Sequence, residues 1–202
     1  MRISVIGSGN VGGALSRRLI DAGHEVIVGV RDPLDPKHEA LPVATAEDAA
    51  RFGDVVFLAV PWKSTEQICE SLAEILQGKV MVDCTNPIAA DFSGLELGHR
   101  DSGGEQVGRW LPGSKVVKAF NTIGFGIMEN PDFHGTPAML TIAGDDAGAK
   151  SIVSQLATDI GFAPIDVGPL ARSVQTEALA WLWISLSIRD GRNFAFTRVQ
   201  RP

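Results

Sequence analysis

Apolar runs of strand length and apolar positions at helical spacing succeed one another along the chain, and their order predicts its elements. Residues 2–6 read as a short strand, after which Val11, Ala14, Leu15, Leu19 and Ala22 recur on one helical face until Gly23. Glu25-Val26-Ile27-Val28 is a second strand. Pro33, Pro36 and Pro42 break the next stretch into a loop, and Thr45 with Asp48 resembles a capping box opening a short helix to about Phe52. Val55 to Val60 is a continuous apolar run of the kind buried on both faces of a sheet, and Pro61 stops it. Ser64 and Gln67 form a second capping-box signal for a helix that carries Ile68, Leu72, Ile75 and Leu76 on one face and ends at Gly78. Val80-Met81-Val82 and Val116 to Phe120 are further strands. The Gly-rich stretch between them, about 91–108, has little periodicity and is expected to be an excursion near a ligand.

Strands alternating with helices through short connections predict an α/β fold: a Rossmann-type, doubly wound, mostly parallel sheet. After about residue 135 the rhythm loosens into a strand (138–143), a helix (146–160), a strand (163–167) and a long helix (172–188). Residues 1–135 are therefore expected to form the nucleotide-binding domain, and 136–202 a small C-terminal α/β extension packed on it. The last helix carries Leu179, Leu182, Trp183 and Leu186 near one side, with Trp181 and Ile184 on others. A helix apolar all round is usually buried, here in a subunit interface.

The chemistry begins at Gly7-Ser8-Gly9-Asn10-Val11-Gly12, a G-x-G-x-x-G placed between the first strand and the first helix. Gly7 permits the tight turn, Gly9 lets backbone approach a pyrophosphate, and Gly12 lets helix and strand pack closely, while the helix N-terminus offers unpaired N–H groups to the anion. A dinucleotide site is expected. NAD-binding chains place a carboxylate about 20 positions after the glycines. Here the second strand ends in Gly29-Val30-Arg31-Asp32, without a strand-end acid. The Arg31 guanidinium can pair with a 2′-phosphate and stack on adenine, with Lys37 near enough to help. This favours NADP, although Asp32 could accept from a ribose hydroxyl or neutralise Arg31.

The formal charge of −6, with no Lys/Arg block, argues against nucleic acid. No signal peptide is expected, and the apolar stretch Ala178 to Ile188 is too short to span a bilayer. Cys69 and Cys84 have no metal-type spacing and suit a reducing cytoplasm; no metal site is expected. The chain has no tyrosine, which excludes a Tyr general acid. Cys84 is expected to be a packed small residue, His24 to be structural and His38 to be a solvated loop histidine. Trp62 would either stack on a flavin-like ring or cover the crevice.

Arg31, Ala59-Val60-Pro61-Trp62, Asp83-Cys84-Thr85-Asn86-Pro87, Lys118-Ala119-Phe120-Asn121-Thr122, Gly144-Asp145-Asp146, Gly161-Phe162 and Asp166-Val167-Gly168-Pro169-Leu170 occur in order over nearly the whole chain. Together they resemble the NADP-dependent coenzyme F420 reductase family, whose nucleotide-binding domain type also occurs in STEAP metalloreductases. The resemblance implies a Rossmann domain with a small C-terminal domain, a homodimer, and hydride transfer between NADPH and a deazaflavin, or a flavin-like acceptor, with no catalytic protein nucleophile. It implies Ser8, Asn10 and Val11 at the pyrophosphate, Arg31 at the 2′-phosphate, and Ala59, Val60 and Pro61 along the ribose and nicotinamide. Asn86, Pro87, Ala119, Phe120, Asn121 and Thr122 would lie about the reacting rings, with Trp62 on the substrate side. Where the family often has Ser before the arginine this chain has Val30, so one hydrogen bond to a 2′-phosphate is lost.

Direct hydride transfer needs positioning and exclusion of water more than an acid or base. Two alternatives remain at this level. One is a reductase of another small acceptor, such as a quinone, an imine or a metal–flavin system. The other is a non-catalytic NADP(H)-binding sensor module.

Overall fold

The computed structural model describes all residues except Glu39, Gln200 and Pro202. Its strands are β1 (Arg2–Ile6), β2 (Glu25–Val30), β3 (Val43–Thr45), β4 (Val55–Leu58), β5 (Val80–Asp83), β6 (Lys115–Lys118), β7 (Asp132–Phe133), β8 (Thr136–Pro137), β9 (Met139–Gly144) and β10 (Ala163–Gly168). Its helices are α1 (Asn10–Asp21), α2 (Ala46–Phe52), α3 (Thr65–Leu72), α4 (Gly103–Trp110), α5 (Phe125–Glu129), α6 (Ala147–Asp159) and α7 (Ser173–Asp190). Eight strands form one sheet in the order β10-β9-β6-β5-β4-β1-β2-β3, and β7 with β8 forms a separate small hairpin. Every neighbouring pair in the large sheet is parallel except β6–β9. The doubly wound architecture expected from the sequence is the one observed, and β9 and β10 continue the same sheet beyond β6.

The period-2 pleat sorts the apolar runs into two cores. Ile3, Val5, Val28, Phe57 and Val82 face α1 and α6, meeting Leu15, Leu19, Val153 and Leu156. Ile6, Val56, Leu58 and Met81 face the other way, onto Ala49, Cys69, Leu72, Leu76 and Val107. A strand buried on both faces must be apolar throughout, and β4 (Val55-Val56-Phe57-Leu58) is fully buried.

Several details depart from the sequence reading. β4 stops at Leu58 and β6 at Lys118, so Ala59, Val60, Ala119 and Phe120 belong to the turns beyond the sheet. β3 lies in the region read only as a Pro-broken loop, where Val43–Thr45 runs beside β2. The Thr45 hydroxyl does cap α2, accepting from the Asp48 N–H at 3.1 Å, whereas Ser64 makes no side-chain cap to α3. The 91–108 excursion leads into α4, opened by an N-cap that glycine content conceals: the Ser102 hydroxyl accepts from the Glu105 N–H at 3.2 Å. Gly104 is required inside that helix because a Cβ there would lie 2.3 Å from Ser173 Oγ. α7 buries Ser173, Thr176, Glu177, Ala180, Trp183 and Ser187, and leaves Leu182 and Ile188 outward. Among the described residues no helix is long and apolar enough to cross a membrane.

Candidate active site

The chain leaves β1 through Gly7 at φ +107°, and its N–H donates to Gly29 O at 2.9 Å. A Cβ at Gly7 would stand 2.4 Å from Ala59 O, and one at Gly12 1.9 Å from Gly7 O. Both neighbours are backbone, so neither position tolerates a side chain without moving the turn. Gly9 is the opposite case: a Cβ there would meet nothing within 4 Å. It leaves open space where the turn borders the crevice. α1 starts from Gly9 with no side-chain cap and no acid in its first turn, so its N-terminal N–H groups are free to meet an anion. These features fit a dinucleotide pyrophosphate.

Strand order reverses between β1 and β4, and there a crevice of about 520 Å³ opens past the C-terminal strand ends. Gly9, Asn10 and Val11 form one end, Ala59 to Trp62 a side, and Cys84, Thr85 and Asn86 the floor beyond β5. Ile88, Ala89, Ala90, Phe92, Lys63 and Glu96 complete the walls. Phe92 and Glu96 belong to the 91–108 stretch expected near a ligand, whereas Ile88, Ala89 and Ala90, directly after the Asn86-Pro87 turn, carried no signal in the sequence. Trp62 lies against Trp110, with centroids 5.6 Å apart, and its Nε1 donates to Glu96 Oε2 at 3.1 Å. The indole is thereby fixed as part of the wall.

Phe120, Asn121 and Thr122 are buried and stand behind the lining. Phe120 takes a left-handed conformation (φ 62°), costly for an aromatic residue, and its ring is held in the core between Phe57 and Phe162 at centroid distances of 5.6 and 5.9 Å. That turn brings Asn121 back to the floor. Asn86 Nδ2 donates to Asn121 O at 2.8 Å, and Asn121 Nδ2 donates to Asn86 Oδ1 at 3.1 Å. Asn121 Oδ1 is buried with no partner among the described residues. Ala119 contributes backbone, donating its N–H to Asp83 O at 3.1 Å, and Pro87 is buried under the floor.

Val30 is buried at the end of β2, and Arg31 emerges exposed, with no hydrogen bond or ion pair among the described residues. Asp32 does not neutralise it: the Asp32 carboxylate accepts from the Leu34 N–H at 3.0 Å and shapes its own loop. Lys37 is ion-paired with Asp35. His38, expected in solvent, is buried, because a 3₁₀ turn over Pro36–His38 draws it inward. His24 lies between the N-terminal amine, 3.3 Å from Nδ1, and Asp159, 3.4 Å from Nε2, a tie between the chain start and α6.

Beneath the floor is a charge cluster that motif reading did not assemble. Lys118 Nζ donates to Asp83 Oδ2 at 2.9 Å, to Glu177 Oε1 at 2.8 Å and to Thr85 O at 2.7 Å. Asp83 Oδ1 accepts the N–H and the hydroxyl of Thr85. Glu177 also accepts the Gly103 and Gly104 N–H groups, both at 3.0 Å. All three charged side chains are essentially inaccessible. Burial alone would lower the lysine pKa, but Asp83 and Glu177 outweigh it and hold the ammonium charged above its usual range. The available signal was one charge at the edge of each apolar run, since a charge kept in a core needs a partner. Burial raises both thiols, Cys69 to about 12 and Cys84 well above its ordinary value, so Cys84 lines the crevice as a thiol and not as a nucleophile.

A doubly wound sheet opening beside a glycine turn at its switch point is the architecture of dinucleotide-dependent oxidoreductases. Residues 2–87 match the family described as NADP oxidoreductase, coenzyme F420-dependent. The F420-dependent NADP reductase of Methanothermobacter marburgensis is 32% identical over 212 residues, covering 94% of each chain. A solved structure from Arthrobacter sp. FB24, assigned as an F420-dependent NADP reductase, superposes with a TM-score of 0.91 at 32% identity, covering 99% of this chain and 100% of that one. Metalloreductase STEAP3 of Rattus norvegicus is 35% identical over 88% of this chain, which spans only 36% of that protein. The chain belongs to the F420-dependent NADP reductase family and is an NADP-dependent oxidoreductase.

Proposed function

We propose that the chain passes hydride between NADPH and a deazaflavin acceptor of the F420 type. One observation carries this reading: a single crevice runs from the glycine turn at Gly9 to a mainly apolar chamber bounded by Trp62, Ile88, Ala89 and Phe92. Such a chamber suits a second flat ring beside the nicotinamide and limits water around it. In the reduction direction NADPH supplies the hydride, and the acceptor takes it with a proton from solvent.

The chain's own residues position and enclose. Gly7 and Gly12 shape the turn, and Ser8, Asn10, Val11 and the free N–H groups of α1 hold the pyrophosphate. Arg31 binds the 2′-phosphate beside Val30, and Lys37 joins it only by leaving Asp35. Ala59, Val60 and Pro61 flank the ribose and nicotinamide. Asn86, fixed by Asn121, orients the ring, while Pro87, Ala119, Phe120 and Thr122 brace the turns behind it. Trp62 faces the acceptor.

Residues 1–135 serve as the nucleotide-binding part and 136–202 as the C-terminal part. The outward Leu182 and Ile188 of α7 support a homodimer through that helix. The two buried free thiols suit a cytoplasmic setting.

The test is steady-state NADPH oxidation with F420 as acceptor and FMN as control. Turnover with F420 well above that with FMN is expected. No turnover with F420 overturns the acceptor assignment and leaves family membership untouched.

A further inference from the structure

The cluster Lys118–Asp83–Glu177 ties together the ends of β5 and β6, the start of α4 and the helix α7. Asp83 and Lys118 between them hold both backbone polar groups and the hydroxyl of Thr85, which lies on the crevice floor next to Asn86. Glu177 reaches from α7 and caps the first N–H groups of α4, where the excursion that forms the far wall returns to the fold. At that return Gly103 is enclosed: a Cβ there would lie 3.0 Å from Glu177 Oε1, 3.2 Å from Pro87 Cδ and 3.2 Å from Trp62 Cζ3. The carboxylate of Glu177 thus bears on the floor through Lys118, and on the Trp62 wall through the start of α4.

Every donor and acceptor of the cluster is engaged. Lys118 has three protons and three acceptors, and each Asp83 and Glu177 oxygen has at least one donor. A closed network of this kind admits one arrangement of the segments it joins. Two anions and one cation leave the cluster formally at −1, more charge than stability alone requires in a core.

We infer that Glu177 is a positioning residue that sets, from the C-terminal helix, the spacing between the Thr85–Asn86 floor and the Trp62 wall at the nicotinamide end of the crevice. This rests on the dinucleotide reading of the crevice given above. The glycine turn and Arg31 lie outside the cluster, so the adenine half of the ligand is insensitive to Glu177.

The test compares binding of NADPH with that of 2′,5′-ADP, which lacks the nicotinamide, by calorimetry on the whole chain. Glu177→Gln leaves the neutral Lys118–Asp83 pair and no uncompensated charge. It should weaken NADPH about tenfold while changing 2′,5′-ADP less than about twofold. Arg31→Ala is the reference and should weaken both. If Glu177→Gln weakens both ligands alike, or neither, the positioning role is overturned. If the wild type binds neither ligand, the dinucleotide reading falls and takes this inference with it. If Glu177→Gln does not fold, Gly103→Ala presses on the same contacts with the charges intact. The folded Gly103→Ala protein should show the same NADPH-selective loss, and wild-type binding of both ligands by it overturns the inference.

Discussion

The two ends of the crevice are built on different principles. At the β1–α1 end the determinants are backbone: a positive φ at Gly7, the absence of Cβ atoms at Gly7 and Gly12, and open N–H groups at the start of α1. At the β5–β6 end they are side chains brought together across the fold, with Asn86 paired to Asn121 and Asp83 to Lys118 and Glu177. The first kind of site lies within a dozen residues and tolerates almost no change at its key positions. The second spreads over many elements, and its residues act only through the network that joins them.

Three substitutions separate these principles. Gly12→Ala has the largest expected effect, because it removes ligand binding as well as stability: its Cβ would stand 1.9 Å from a backbone oxygen. The turn must move, and NADPH binding should be lost to calorimetry, with destabilisation of about 3 kcal/mol in urea unfolding. If Gly12→Ala binds NADPH normally, the backbone description of this end is wrong.

Lys118→Met comes next. It strands two buried carboxylates and should cost about 3–5 kcal/mol in the same unfolding measurement. The cluster also fixes the sign of a pH effect. A lysine whose folded pKa is raised stabilises fully below its unfolded value of about 10.4, and that contribution disappears as pH rises through the higher folded value. Wild-type stability should therefore hold to about pH 10 and fall above it, and Lys118→Met should lack that part of the alkaline loss. A loss below about 1 kcal/mol for Lys118→Met would show that the ion cluster is not held as described.

Arg31→Ala gives the smallest effect, since the side chain is exposed and stabilises nothing in the fold. NADPH should weaken about tenfold with NADH little changed, read by fluorescence titration. Equal weakening of the two would remove Arg31 from 2′-phosphate recognition.

The contrast also accounts for what could be read in the chain before its structure. β1, α1, β2 and β4 were legible because their signals are local: a glycine turn, a helical face, and an apolar run on each side of a break. Thr45 with Asp48 was legible for the same reason, but Ser64 with Gln67 gave the same signal without the bond. α4 was hidden because Gly103 and Gly104 lower helix propensity; packing against Ser173 and Glu177 imposes them, and those residues lie about 70 positions away. Phe120 looked like a site residue from its motif. Its left-handed backbone sends the ring into the core and leaves the neighbouring Asn121 to reach Asn86. Lys118 appeared in the motif, but neither of its partners could be inferred from spacing, because 35 and 59 positions separate them from it.

The clamp beneath the floor has a consequence for how the crevice wall is held. One cluster secures the excursion at both ends, through Thr85 where the chain leaves β5 and through Gly103 and Gly104 where it enters α4. Between those anchors, residues 88–101 take no bond from the cluster, and Glu96 and Asp101 tie them instead to Trp62 and to α4. The wall of the crevice is thus hung from the fold at its two ends, while the sheet and the glycine turn are held independently of it.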